Sequence, residues 1–201
     1  FRFLLLLETF ELNNYDYAIV GGFLKDVYRI PSNLHIRDID IIVDLNIDDL
    51  ERILKHYNFR YSKNSFGGYK IVDRRGTFKL VIDLWTLNTH KPFEELSMHI
   101  KKPSWKNIPK SAWLSVDGAT WLPSCNKLYA KAMKRSIRKE VLGFYYPETF
   151  KKLYLENDYI VIAKILRYYA IDKLELNSAC KDVVHWYFTD RVRNYRQLVQ
   201  L

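Results

Sequence analysis

From Val20 to Asp44 the chain reads V-G-G-F-L-K-D-V-Y-R-I-P-S-N-L-H-I-R-D-I-D-I-I-V-D, and both halves of that stretch carry chemistry. Tyr17 to Val20 is a short apolar run suited to a buried strand, and Gly21 and Gly22 permit a tight turn. Phe23, Leu24, Val27 and Ile30 then recur at helical spacing. A helix starting there turns its unpaired N–H groups and positive dipole end toward the glycines, an environment that suits phosphate. In the second half, Asp38 and Asp40 flank Ile39 at the start of an apolar run that ends at Val43. Residues two apart on a strand share a face, so both carboxylates project together while Ile39 and Ile41 enter the core. Two like charges that close are costly without a cation, and Mg²⁺ suits such oxygen ligands. A phosphate turn beside a metal seat implies nucleotide chemistry.

Working outward, Phe3 to Leu12 is predicted as an N-terminal helix, and Asn13 to Asp16 as the turn before the first strand. After the paired acids, Asn46 to Asp49 supplies capping residues, and Leu50, Ile53, Leu54 and Tyr57 follow with helical spacing. Phe59 to Leu87 reads as a hairpin turning at Arg74 to Thr77. Its second arm, K-L-V-I-D-L-W-T-L, sets Asp83 among apolar neighbours, and an acid in a buried strand needs a reason. It is either a third metal-directed carboxylate beside Asp38 and Asp40 or a margin acid paired with a cation.

His90 to Lys110 is polar and proline-punctuated, with a tryptophan among lysines that fits either a base-stacking segment or a surface loop. Trp113 to Leu122, with a turn at Asp117-Gly118, is expected to be the last strand of a first domain, residues 1–123. Residues 124–201 read as helical. There Tyr129, Met133, Ile137 and Val141 share one face, and Lys127, Lys131, Lys134, Arg135 and Arg138 cover the other, either an RNA-contacting surface or a solvated one. Two further helices are expected near Tyr159 to Ile171 and Ser178 to Asp190.

Thirty-two Lys and Arg against 23 Asp and Glu give a net charge of +9, which favours a polyanionic partner or marks a solvated basic surface. Two distant cysteines make neither a disulfide framework nor a zinc pattern, so a reducing cytoplasm is the expected setting. No apolar run approaches the roughly 20 residues of a membrane span, and the opening F-R-F-L-L-L-L-E is too short for a signal segment. The chain lacks an initiating Met, consistent with a fragment or a processed product.

V-G-G-F-L-K-D followed by R-D-I-D resembles the head-domain signature of the DNA polymerase β-type nucleotidyltransferases, in particular the branch of bacterial tRNA nucleotidyltransferases (CCA-adding enzymes) and poly(A) polymerases. Phe66 to Lys70 and Val81 to Thr86 are similar to further head-domain stretches, and Asp158 to Leu176 looks like the neck segment. The resemblance implies an α+β fold, with a mixed-sheet head followed by a helical neck. It also implies a two-metal transfer of NMP from an NTP to an acceptor hydroxyl, with release of pyrophosphate. Gly21 and Gly22 would hold the triphosphate, Asp38 and Asp40 two Mg²⁺ ions, and Asp83 would be the third ligand. Lys25 and Arg37 either contact phosphate or balance adjacent acids. Asp158 falls on the neck motif, and Arg167 either contacts nucleotide or forms a salt bridge.

Two departures stand out. The neck motif Glu-Asp-x-x-Arg is here Asn157-Asp158-Tyr159-Ile160-Val161, without its arginine, and the Arg-Arg-Asp before the last head strand is replaced by Ser111-Ala112-Trp113. An arginine fork reads a base edge through paired donors, and valine cannot. The expected acceptor is an RNA, in first place a tRNA 3′ end. The alternatives are a toxin- or defence-type transferase modifying tRNA or a protein side chain, and a silent nucleotide- or RNA-binding module.

Overall fold

The computed structural model describes residues 2–29, 38–64, 67–75, 78–89, 103–145 and 158–191. The chain separates into two compact units, Phe1–Ala112 with Asp117–Lys131, and Trp113–Val116 with Ala132–Leu201. The fold is α+β, as expected.

The first unit contains α1 (Arg2–Leu12), β1 (Tyr17–Val20), α2 (Gly22–Arg29), β2 (Asp38–Val43), α3 (Ile47–His56), β3 (Tyr61–Lys63), β4 (Tyr69–Arg75), β5 (Phe78–Thr86), β6 (Thr120–Leu122) and β7 (Lys127–Tyr129). Among the described residues the strands form a seven-stranded sheet in the order β3-β4-β5-β2-β1-β6-β7. The central pair β2 and β5 is parallel, and the other neighbours are antiparallel. Ile39, Ile41, Ile82 and Leu84 of that pair are at most 2% exposed. A fully buried side chain of this kind contributes about 1.5–3 kcal/mol.

Two helices lie on the apolar face. Asn46 caps α3 by accepting the Asp49 N–H at 2.8 Å, as the capping sequence predicts. Glu51 of α3 accepts from the Tyr69 hydroxyl at 2.9 Å and the Tyr61 hydroxyl at 3.2 Å, and pairs with Lys55 at 3.0 Å. Tyr69 lies on the same face as Ile71 and, through Leu84, as Ile41. At the other end Tyr17, which shares its face with Ile19, donates to Glu11 of α1 and packs its ring 5.7 Å from Phe10.

Two sequence expectations change. The helix expected from Asn126 onward begins only at α4 (Lys131–Lys139). Asn126 takes a left-handed conformation (φ 48°) after the turn at Pro123–Cys125, which sends Lys127–Tyr129 back along β6 as a strand. The strand expected over Trp113 to Leu122 is confined to Thr120–Leu122, because Ser115–Asp117 is a 3₁₀ turn and Leu114 and Val116 are fully buried in the second unit.

That second unit holds α4 from Ala132 onward, β8 (Val141–Leu142), α5 (Asp158–Ala170), β9 (Glu175–Leu176) and α6 (Ser178–Trp186), followed by a π turn over Tyr187–Arg191. Val161, Ile165 and Tyr168 of α5 pack with Leu114, Val116, Leu142, Phe144, Leu174 and Cys180. Asn177 caps α6 by accepting the Cys180 N–H at 2.9 Å.

Two outcomes test this packing. Hydrogen bonds from Lys55 and then Tyr69 hold the Glu51 carboxyl at about 2, below its ordinary 4.5. A depressed carboxyl stabilises the fold above its unfolded value and loses that contribution as pH falls through the folded one. Glu51→Gln therefore lowers the thermal midpoint at pH 7, and its gap to the native chain narrows from pH 4.5 toward pH 2. A gap that stays constant would assign the effect to shape rather than charge. Burial pushes the Cys180 thiol up to about 12, whereas Cys125 is exposed. A thiol reagent should thus titrate one cysteine in the folded protein and both in denaturant.

Candidate functional site

The site is built on one row of the sheet. Cross-strand partners share a face, so the register places Ser62, Lys70, Asp83, Asp40, Val20, Thr120 and Tyr129 side by side across all seven strands. Asp38 precedes Asp40 by two residues and joins the same face, opposite Ile39 and Ile41. The structure thus gathers Asp38, Asp40 and Asp83 on adjacent parallel strands, with Asp40 directly beside Asp83. All three are partly buried.

Gly21 closes β1 with φ +77°, a backbone conformation that L side chains rarely adopt. A Cβ there would lie 2.8 Å from the Asp40 Oδ2, so the absence of a side chain is what allows the turn and the carboxylate to abut. The Gly21 N–H itself is spent, since it donates to the Ala119 carbonyl at 3.2 Å. The Leu24 N–H is likewise spent on the Gly21 carbonyl at 3.2 Å, so the donors at the turn that suit phosphate are the Gly22 and Phe23 N–H groups at the start of α2. Lys25 is 2% exposed and its ammonium meets Asp26 at 2.6 Å, in line with the charge-balancing alternative for this residue. Arg37 lies outside the described residues.

Asp83 has partners of its own. Lys70 Nζ stands 3.7 Å from its Oδ1, and the Asn64 side chain acts on the carboxylate as well. Burial raises the Asp83 carboxyl above its ordinary value, Lys70 and Asn64 act in the opposite direction, and the Asp38 charge raises it further. Although the three acids share a face, among the described residues no group of three or more His, Cys, Asp or Glu side chains converges closely enough to hold one metal ion. The donor chemistry that fits a divalent cation is the pair Asp38 and Asp40, hard oxygens on one strand face beside a turn without a side chain. Asn64 and Lys70 were not singled out from the sequence. Closing the hairpin with Arg75 opposite Phe78 carries the register down to Lys70 opposite Asp83, so turn placement was the signal.

The remaining expected residues are spread over both units. Lys127 lies on β7 with its ammonium 5.1 Å from the Tyr129 ring centroid. On α4, Lys131, Arg135 and Arg138 are exposed, Lys134 is partly buried, and Met133 is buried on the opposite side. Arg138 Nε donates to the Lys134 carbonyl at 3.3 Å. Asp158 opens α5, and Arg167 lies near its end, partly buried. Val161, at the position where the neck motif carries arginine, is 0% exposed within the second core. Asn157 and residues 90–102, including most of the polar stretch after β5, lie outside the described residues.

No family model matches the sequence, and no curated protein matches it. Solved structures do match it in fold. A tRNA-processing enzyme with CTP superposes with a TM-score of 0.59 at 15% identity, over 88% of this chain and 44% of that one. A tRNA nucleotidyltransferase complexed with a primer tRNA and an incoming ATP analog gives 0.60 at 15% identity, over 88% and 48%. A CCA-adding enzyme with ATP gives 0.60 at 18% identity, over 91% and 41%. The chain spans less than half the length of these proteins and shares their fold, in agreement with the resemblance read from its motifs. Among the described residues no helix is long and apolar enough to cross a membrane.

The abutment of turn and carboxylate predicts the cost of filling it. Gly21→Ala, forced into a left-handed backbone, should lose about 1–2 kcal/mol in urea unfolding and push Asp40 aside. Gly22→Ala, inside α2 and without positive φ, should not share that loss.

Proposed function

We propose that this protein is a metal-dependent nucleotidyltransferase that transfers NMP from an NTP to an acceptor hydroxyl and releases pyrophosphate. The observation that supports this reading above all is the contact geometry at Gly21, where a helix start suited to phosphate meets the Asp40 carboxylate without an intervening side chain. The fold shared with proteins solved with CTP, ATP and a primer tRNA supports the same substrate class.

In this reading the first N–H groups of α2 hold the triphosphate against the β1 turn. Asp38 and Asp40 hold the cations, two Mg²⁺ ions in the proposed full complement. When bound, Mg²⁺ makes the acceptor hydroxyl more acidic and offsets charge on the departing pyrophosphate. The sheet below keeps both carboxylates on one side, since slipping β2 by one residue would drive them into the apolar core. A bond forms between the acceptor oxygen and the α-phosphorus, the bond from that phosphorus to the β-phosphate oxygen breaks, and the hydroxyl proton is lost. Residues 1–123 form the proposed head and 124–201 the proposed neck. Lys127, Lys131, Lys134, Arg135 and Arg138 are the proposed RNA-contacting residues, and Asp158 and Arg167 the proposed nucleotide-contacting residues of the second unit. The favoured acceptor is a tRNA 3′ end, and the setting is the cytoplasm.

A second reading follows from Val161. A side chain that is fully buried in the second core leaves no base-reading group at that position, which favours a transferase that modifies tRNA elsewhere or labels a protein. Incubation with Mg²⁺, each labelled NTP and total tRNA should place label on RNA, and Asp40→Ala should reduce transfer by two or more orders of magnitude. Label on protein and never on RNA would select the second reading. No transfer to either acceptor across varied divalent metals would overturn both and leave a binding module.

A further inference from the structure

Building on the transferase reading, we infer that Asp83 is not a metal ligand but the seat of a built-in cation, Lys70, which takes the place a metal would otherwise have at the third carboxylate. The register is the first ground. Lys70 faces Asp83 directly across β4 and β5, and Asp83 faces Asp40 across β5 and β2, so one row carries ammonium, carboxylate, carboxylate. The Lys70 Nζ stands 3.7 Å from the Asp83 Oδ1. Asp83 is 15% exposed, and an acid that far from water needs compensation from the protein itself.

Asn64 is the second ground, because its orientation is locked. Its Oδ1 accepts the Gly68 N–H at 2.9 Å, its backbone N–H donates to the Gly68 carbonyl at 2.8 Å, and its carbonyl accepts from Gly67 at 3.3 Å. These bonds fix the turn that starts β4, and with it the register that puts Lys70 opposite Asp83. The Asp83 carboxylate thus has a protein cation beside it on the β4 side of the row. Lys70 is 46% exposed, so its charge also faces the solvent side of the row, where it adds positive field beside the carboxylate pair.

Mn²⁺ binding by the full chain, followed by electron paramagnetic resonance without nucleotide, tests the assignment independently of turnover. Asp40→Asn should weaken Mn²⁺ binding by about tenfold or more, whereas Asp83→Asn should leave it unchanged within error. Lys70→Met, at a half-exposed position compatible with folding, should tighten Mn²⁺ binding by releasing Asp83, and the gain should vanish in the double variant with Asp83→Asn. Equal weakening by Asp83→Asn and Asp40→Asn, in variants whose thermal midpoints match the native chain, would overturn the inference and leave the transferase reading standing. Unchanged Mn²⁺ binding in Asp40→Asn would remove the metal seat itself and the inference with it.

Discussion

Strand β2 has to satisfy two opposed environments at once, and the first unit is arranged around that constraint. Its even positions, Asp38 and Asp40, bring two like charges to one face, while Ile39 and Ile41 are sealed on the other. Repulsion between the carboxylates favours separation, and burial of the isoleucines forbids it, since any slip or rotation of the strand would expose apolar surface or bury charge. The parallel partner β5 repeats the pattern, with Asp83 between Ile82 and Leu84. Helices α1 and α3 close the apolar face through Phe10 against Tyr17 and Glu51 against Tyr61 and Tyr69, which leaves the other face to carry the acids.

Charge on that face is handled differently at its two ends. At the β1 side, a glycine with positive φ brings the start of α2 to the Asp40 carboxylate, so positive potential comes from backbone N–H groups and the helix dipole. At the β4 side, it comes from the Lys70 ammonium 3.7 Å from Asp83. Between them lies the carboxylate pair, whose negative charge is the feature a divalent cation would answer. A single sheet row thereby grades from protein cation to paired acids to glycine turn, the layout on which the proposed nucleotide site rests.

The second unit meets a different demand. Its core of Leu114, Val116, Leu142, Val161, Ile165 and Leu174 is apolar throughout, and α4 carries its cations away from buried Met133. With Val161 given to packing, the proposed RNA and nucleotide contacts of this unit fall to α4 and the exposed part of α5. Nucleobase selection by an arginine at that position is incompatible with a fully buried site, because a guanidinium there would lose its hydration without a partner.

How much of this was legible beforehand divides along the range of the interactions involved. The sequence by itself determined the pieces whose cause is local: the strand and turn through Gly21, the α2 and α3 helices with the Asn46 cap, the alternation that puts Asp38 and Asp40 on one face, and the motif order that matches the shared fold. Those follow from period and cap chemistry, which a few neighbouring residues specify. Only the tertiary structure decided which strands stand beside one another, and therefore that Lys70 faces Asp83, that the Gly21 N–H is taken by Ala119, and that Lys127 to Tyr129 pairs with β6 instead of opening a helix. Each of those depends on partners distant in the chain or on a register fixed by one turn, and a sequence read residue by residue has no term for either.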